Sequence, residues 1–87
     1  MGFNKRKMLN SITSNMGAVH SIVILSKSKI ASANYDKTVR LWDIDTGNCY
    51  KMFSGHNDRI NCLIKLSRTQ LVSGGDDNTI KIWEIIM

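Results

Sequence analysis

The chain has 87 residues, 43% of them hydrophobic and 22% charged, which is the composition of a folded globular domain and not of a disordered segment. No run of 18 apolar residues occurs and the N-terminus lacks the apolar core of a secretory signal, so the sequence predicts neither a transmembrane helix nor secretion. The formal net charge of +5 suggests an acidic partner, unless the charge is confined to one short segment.

The excess positive charge is largely confined to residues 1–7, which we interpret as a basic leader. Lys5, Arg6 and Lys7 supply three of the five net charges, and residues 14–87 carry nine basic and seven acidic side chains, a balance of +2. A short basic terminus of this kind is more often solvated than bound to phosphate. We therefore expect no nucleic-acid partner, and retain as the alternative hypothesis a leader that recruits nucleic acid or an acidic membrane surface.

After the leader, short β-type segments alternate with polar turns. A period of two predicts that Val19, Ser21, Val23 and Leu25 share one face of a strand. The polar turn "SKSK" follows, and then the strand "IAS". The segment "TVRLWDI" is rich in β-branched and aromatic residues, and the turn "DTGN" separates it from a further strand, "CYKMF".

The same order of segments then recurs. Period two places Ile60, Cys62, Ile64 and Leu66 on one face of a strand, opposite Asn61, Leu63 and Lys65. The turn "SRTQ", the strand "LVS", the glycine-containing turn "GGDDN" and the strand "TIKIWEI" follow. No segment has a helical period and the chain has no proline. The sequence therefore predicts an all-β fold with four short strands in each unit.

A shift of 41 residues aligns residues 14–44 with residues 55–85 without a gap, and 7 of the 31 positions are identical. Trp42 and Trp83 fall in register, and each is followed by an acidic residue. Such a period is typical of repeat proteins in which each repeat is one supersecondary unit.

Cys49 and Cys62 are isolated and have no metal-ligand spacing. We predict that both are small buried residues of strands in a reducing compartment. The expected location is the cytoplasm or the nucleus.

The repeat resembles the WD-repeat (WD40) β-propeller family, over nearly the whole chain. Residues 55–85 carry the pair Gly55-His56, then Ser73, Asp77 and the pair Trp83-Glu84. In the first unit Ser32, Asp36 and Trp42-Asp43 match, whereas Ser14-Asn15 stands in place of Gly-His. We interpret residues 8–45 as a first, degenerate repeat with Asn15 in place of the histidine, and residues 49–87 as the second repeat. The resemblance implies two four-stranded antiparallel blades of a propeller, which do not close a ring by themselves.

The resemblance also implies a structural role for the motif residues. In the family, the histidine, serine, aspartate and tryptophan of a blade form a hydrogen-bonded chain. Carried over to the second repeat, Asp77 accepts a hydrogen bond from His56, and Ser73 links His56 to the indole N–H of Trp83. In the first repeat Ser32, Asp36 and Trp42 match, but an asparagine is shorter than a histidine, so a partial network is expected there.

Partners of the family usually dock at one end of the propeller, on the turn before the first strand and the turn around the aspartate. The matching residues here, which we call the rim, are Tyr35, Lys37, Asn57, Asp58, Arg59 and Asp76. Tyr35 is the strongest candidate, because an exposed aromatic side chain is the type that anchors interfaces.

No catalytic, cofactor or metal site is predicted. Asp76-Asp77 is not part of a calcium-binding loop, and "GGDDN" lacks the lysine of a phosphate-binding loop. No nucleophile stands at a recognisable spacing from a base. We therefore expect a protein that is not an enzyme.

Two blades bury one shared interface and leave two apolar faces open, so the chain needs further blades. Three hypotheses are open: the chain is a piece of a longer propeller protein, it assembles with copies of itself, or it is either a non-functional product or one that works only when it docks to another propeller. Met8–Thr13 aligns weakly with Cys49–Ser54, and a neighbouring copy could supply this segment as the strand missing after Ile85. We expect a non-catalytic protein–protein interaction scaffold whose partners are other proteins, further blades or copies of itself.

Overall fold

The computed structural model describes residues 11–13 and 17–85, and this part of the chain forms seven β-strands in two antiparallel sheets. Sheet A contains, in spatial order, β1 (Val19–Ser26), β2 (Lys29–Asn34), β3 (Thr38–Asp43) and β4 (Cys49–Ser54). Sheet B contains β5 (Ile60–Ser67), β6 (Gln70–Gly75) and β7 (Ile80–Glu84). The prediction of an all-β fold is confirmed. No helix among the described residues is long and apolar enough to cross a bilayer.

Within each sheet, every strand pairs with the next one along the chain because the connecting turns are short, whereas β4 and β5 belong to different sheets. Two equivalent turns need a left-handed backbone, with φ of 75° at Lys37 and 66° at Asn78. Asparagine tolerates this conformation better than lysine does, since its short amide can bond locally. In the β3–β4 turn Gly47 adopts the same conformation, with φ of 77°.

The sheets and the sequence repeats are divided at different places. β4 lies in the segment that we predict as the second repeat, 49–87, but it pairs with β3 and completes sheet A. Sheet B has three strands among the described residues, and β7 is its last strand. Among the described residues, the second unit therefore has no fourth strand.

The two sheets pack face to face, and the core lies between them. Sheet A contributes Leu25, Ala31, Ala33, Val39 and Leu41, and sheet B with the residue after it contributes Ile60, Leu63, Leu71 and Ile85. All nine are buried. The two alanines on the central strand β2 leave room for the branched side chains of β5.

The predicted faces are wrong only at the first residue of β1 and of β5, because a β-bulge follows Val19 and Ile60. The rest of each alternation is as predicted, with Ser21, Val23 and Leu25 on the inward face of β1. The pairing of β5 shifts between Ile60 and Cys62, and that of β1 shifts at the equivalent place, between Val19 and Ser21. One inserted residue reverses the alternation beyond it. Ile60 and Leu63 consequently point into the core together, while Cys62 and Ile64 point outward.

The two faces that point away from the core remain open. Large side chains exposed on sheet A are Val19, Ile22, Ile24, Tyr50 and Met52, and those on sheet B are Ile64, Leu66, Ile80 and Ile82. The prediction of buried cysteines is wrong: Cys49 and Cys62 are both exposed. The two sheets do not close a ring.

Candidate functional site

The motif residues of the second repeat form a chain of hydrogen bonds from sheet B to the loop before β5. Trp83 donates its indole N–H to Ser73 Oγ at 2.8 Å, and Ser73 Oγ lies 2.7 Å from Nε2 of His56. Nδ1 of His56 lies 3.1 Å from both carboxylate oxygens of Asp77. A carboxylate only accepts, so Nδ1–H donates to Asp77 and Nε2 accepts the hydroxyl proton of Ser73. Every polar hydrogen of this buried chain thus has an acceptor.

Asp77 joins two loops at the same end of the molecule. It accepts hydrogen bonds from the Thr79 hydroxyl at 2.7 Å, from the Thr79 backbone N–H at 3.2 Å and from the Asn57 backbone N–H at 2.8 Å. The Thr79 hydroxyl, the Asn57 N–H and the His56 ring hold the pKa of Asp77 well below its usual range, against the opposing effect of burial. The carboxylate is therefore ionised and fixes the β6–β7 turn to the loop that carries Asn57.

Two glycines make room for this network. A Cβ atom at Gly55 would lie 2.9 Å from the Trp83 ring, and one at Gly75 would lie 2.8 Å from Nδ1 of His56 and 2.9 Å from Oδ1 of Asp77. Real Cβ atoms almost never come so close to another heavy atom. The Trp83 indole therefore requires a glycine at position 55, and the His56 ring requires a glycine at position 75.

The first repeat holds its aspartate differently. Trp42 donates to Ser32 Oγ at 2.9 Å, as in the second repeat. Asp36 accepts from the Thr38 hydroxyl at 2.6 Å and forms an ion pair with Arg40 at 3.2 Å. Asn15, which stands in place of the histidine, lies outside the described residues.

The residue equivalent to Gly75 in the first repeat is Asn34, which is fully buried. Its amide donates to the Thr38 carbonyl at 3.1 Å. A side chain at this position occupies the space that His56 needs in the second repeat. The absence of a histidine and the presence of Asn34 are thus two parts of one local arrangement, which was not recognised from the sequence.

The rim residues lie at the end of the sheets where His56 and Asp77 meet. Tyr35, in the β2–β3 turn, is half-buried and not fully exposed as predicted. Its ring stacks on His20 with centroids 3.6 Å apart and planes inclined by 16°, and the Arg59 guanidinium lies 4.9 Å from the Tyr35 centroid. Tyr35 therefore links the β2–β3 turn to the bulge of β1 and to the loop before β5.

The other rim residues are exposed: Lys37, Asn57, Asp58, Arg59 and Asp76. Asp76 accepts a hydrogen bond from Asn61, the bulge residue of β5, in the place equivalent to the contact between Tyr35 and His20. Each bulge residue therefore supports the first residue of the adjacent turn. Sequence reasoning missed His20 and Asn61, because a bulge leaves no mark in the hydrophobic pattern.

In the described part of the chain, no three His, Cys, Asp or Glu residues are grouped so that they could hold a metal ion. The rim thus consists of loops held by hydrogen bonds, with side chains of both charges and with Tyr35 between β1 and the loop before β5.

Comparisons with known proteins agree with this geometry. The family model "WD domain, G-beta repeat" matches residues 6–43 and 47–84. Cell division control protein 4 of Saccharomyces cerevisiae is 34% identical over 58 residues, which is 67% of this chain and 7% of that protein. The WD40 β-propeller domain of Doa1 superposes with a TM-score of 0.73 and 27% identity, over 76% of this chain and 22% of that one.

A computationally designed protein, Ika4, superposes with a TM-score of 0.67 and 32% identity, over 78% of this chain and 41% of the designed chain. The curated relatives are much longer than this chain, which spans between 5% and 8% of their length.

Proposed function

Because the chain belongs to the WD-repeat family, whose members generally serve as protein-interaction scaffolds, we propose that it is a non-catalytic scaffold that binds another protein through its rim. We further propose that it acts as part of a larger propeller, in the cytoplasm or the nucleus. Two observations support a role within a larger propeller: the chain spans only a small share of the length of its relatives, and it has two open apolar faces.

The observation that carries the proposal is the fixation of the rim from below. The hydrogen-bond network that runs from Trp83 to Asp77 holds the loop of Asn57 against the β6–β7 turn. Tyr35 connects the β2–β3 turn to Arg59. Loops held in one conformation bind with a smaller loss of conformational entropy than mobile loops do. Side chains of both charges on such a support suit a polar protein surface.

Two arginines provide a matched test. Arg59 immediately precedes β5 and Arg68 immediately follows it, so they lie at opposite ends of one strand, and both are exposed. We expect Arg59→Glu to lower the affinity for the physiological partner by about tenfold or more, because it reverses a rim charge and removes the cation over Tyr35. Arg68→Glu is expected to bind like the wild type.

The measurement is quantitative mass spectrometry of proteins retained from cell extract by the wild-type chain and by each variant. Circular dichroism would first show that both variants are folded. A protein retained by the wild type and by Arg68→Glu, and lost with Arg59→Glu, is a rim partner. Retention of the same proteins at the same level by both variants would contradict the proposal.

The alternative hypothesis assigns binding to the basic leader, residues 1–7, which lie outside the described residues. Deleting these seven residues would abolish salt-sensitive binding to a polyanion such as heparin if the leader is the functional element. Rim-dependent protein binding would be unchanged by the same deletion.

A further inference from the structure

Each open face of the chain corresponds, through the 41-residue repeat, to a face that is packed inside the molecule. The 41-residue shift relates each large apolar residue exposed on sheet B to a residue that sheet A packs against the core. Ile80 corresponds to Val39 and Ile82 to Leu41. Val39 and Leu41 are fully buried against sheet B, whereas Ile80 and Ile82 are 77% and 62% exposed.

The correspondence also holds in the other direction. Ile60 and Leu63 of sheet B are buried against sheet A, and their counterparts are Val19 and Ile22 on the open face of sheet A. The open face of sheet B is thus equivalent to the packed face of sheet A, and the open face of sheet A is equivalent to the packed face of sheet B. Two copies placed head to tail would bring together the same kinds of surface that already pack within one chain.

Ile12 provides an independent observation. Its counterpart is Phe53 of β4, which stacks on Trp83 of the following sheet with ring centroids 5.2 Å apart. Ile12 lines a small cavity of about 80 Å³ together with Ile22 and Trp42, the counterpart of Trp83. Ile12 therefore already occupies the place that the last strand of a preceding sheet would occupy.

We propose that the open face of sheet B packs against the open face of sheet A of a second copy, whose residues 11–13 pair with β7 as the fourth strand. The register follows from sheet A, in which Val39 pairs with Phe53, so that Ile80 would pair with Ile12 of the next copy. Head-to-tail contacts generate rings when the rotation closes, and about three or four copies would give the six or eight blades of a typical propeller. This inference rests on the proposed role as part of a propeller and names its partner.

The joint between copies is weaker than the joint within a chain, because its polar contacts are missing. Within the chain Lys65 donates to the Leu25 carbonyl at 3.1 Å, and Ser21 donates to the Leu63 carbonyl at 3.5 Å. The counterparts of the two donors, Ile24 and Cys62, carry no comparable donor. Assembly is therefore expected to depend on protein concentration.

The pairing is tested by a disulfide between copies. The double variant Ile12→Cys, Ile80→Cys is prepared in a background of Cys49→Ser and Cys62→Ser, and is oxidised. The two new cysteines lie on opposite outer faces of one chain, so a bond between them must join two chains. The control combines Ile12→Cys with Arg68→Cys, at the far end of sheet B. We expect covalent oligomers from the first pair and none from the control.

The oligomeric state is tested by light scattering of the wild-type chain behind a sizing column over a range of concentrations. Particles of three or four times 9.8 kDa support the inference. Ile82→Asp, at a position that is 62% exposed in a single chain, is expected to give only monomer, and Thr69→Asp in the exposed β5–β6 turn is the control.

A folded monomer at every concentration, or open-ended polymer, would overturn the inference, as would equal crosslinking of both cysteine pairs. The failure of this inference differs from that of the proposed scaffold function. If the chain is a monomer and Arg59→Glu still abolishes partner binding, the proposal of rim binding stands and the proposal of a ring of copies fails.

Discussion

At the scale of single residues, the feature that organises the molecule is the space around His56. The ring is fully buried and lies between Ser73, Asp77 and the backbone of Gly75. A buried polar ring stabilises one loop conformation only if all its hydrogen bonds form at once. Changes of a single methyl group in its surroundings should therefore have large effects.

Gly75→Ala is expected to lower the free energy of unfolding by about 2 kcal/mol, because its Cβ would overlap the imidazole and the carboxylate, neither of which can move without breaking the network. Gly74→Ala is the matched control, since its Cβ would meet only Cys62 Sγ, at 3.3 Å. Urea unfolding of both variants measures the difference. If both variants lost the same free energy of unfolding, the space that Gly75 leaves for His56 would not be its contribution to stability.

Asp77 should give the molecule an acid-sensitive component of stability. Its pKa is lower in the folded chain than its usual value near 3.8, so the unfolded chain takes up a proton at a higher pH than the native chain does. The stabilisation is therefore complete above the usual pKa and is lost as the pH falls below it. The midpoint of urea unfolding should decline between about pH 5 and pH 2.

Asp77→Asn should reduce this decline, as well as lower stability at neutral pH. Asp45→Asn, at an exposed position of the β3–β4 turn, serves as the control and should retain the slope of the wild type. If the slope of Asp77→Asn matched that of the wild type, other carboxyl groups would account for the acid sensitivity.

At the scale of the strands, the sequence was sufficient to find the elements and most of their faces, but not the bulges. "TVRLWDI" and "CYKMF" match β3 (Thr38–Asp43) and β4 (Cys49–Ser54) closely, because β-branched and aromatic residues bounded by turn residues are a local property. Only Val19 and Ile60 were grouped with the wrong face, because each bulge depends on the partner strand and not on the bulged residue itself.

The candidate site divides in the same way. The resemblance to WD repeats picked out His56, Ser73, Asp77 and Trp83, which the structure brings together. It could not place His20 against Tyr35, nor relate Asn34 to the missing histidine, since both contacts arise only when separate turns meet in space.

At the scale of the whole molecule, the joint between the sheets has an apolar interior and polar contacts at its margin. Lys65→Met keeps the aliphatic stem and removes the donor to the Leu25 carbonyl, and it should lower the free energy of unfolding by about 1 kcal/mol. Lys27→Met, in the exposed β1–β2 turn, is the control and should be neutral.

Both lysine variants are best compared in the Ile82→Asp background, in which association does not contribute to the measured stability. A neutral result for Lys65→Met would mean that apolar packing alone holds the sheets together. In that case the joint between copies would be expected to match the internal joint in strength.

The placement of β4 has a consequence for the history of the chain and for its synthesis. The 41-residue repeat begins with a strand that completes the sheet of the unit before it. A duplication with this offset automatically ties each new copy to the previous one, so that no separate linker has to arise. On the ribosome, the first sheet cannot be completed until the chain has been made as far as Ser54, and cutting the chain in the β3–β4 turn should therefore disrupt that sheet and not release two intact domains.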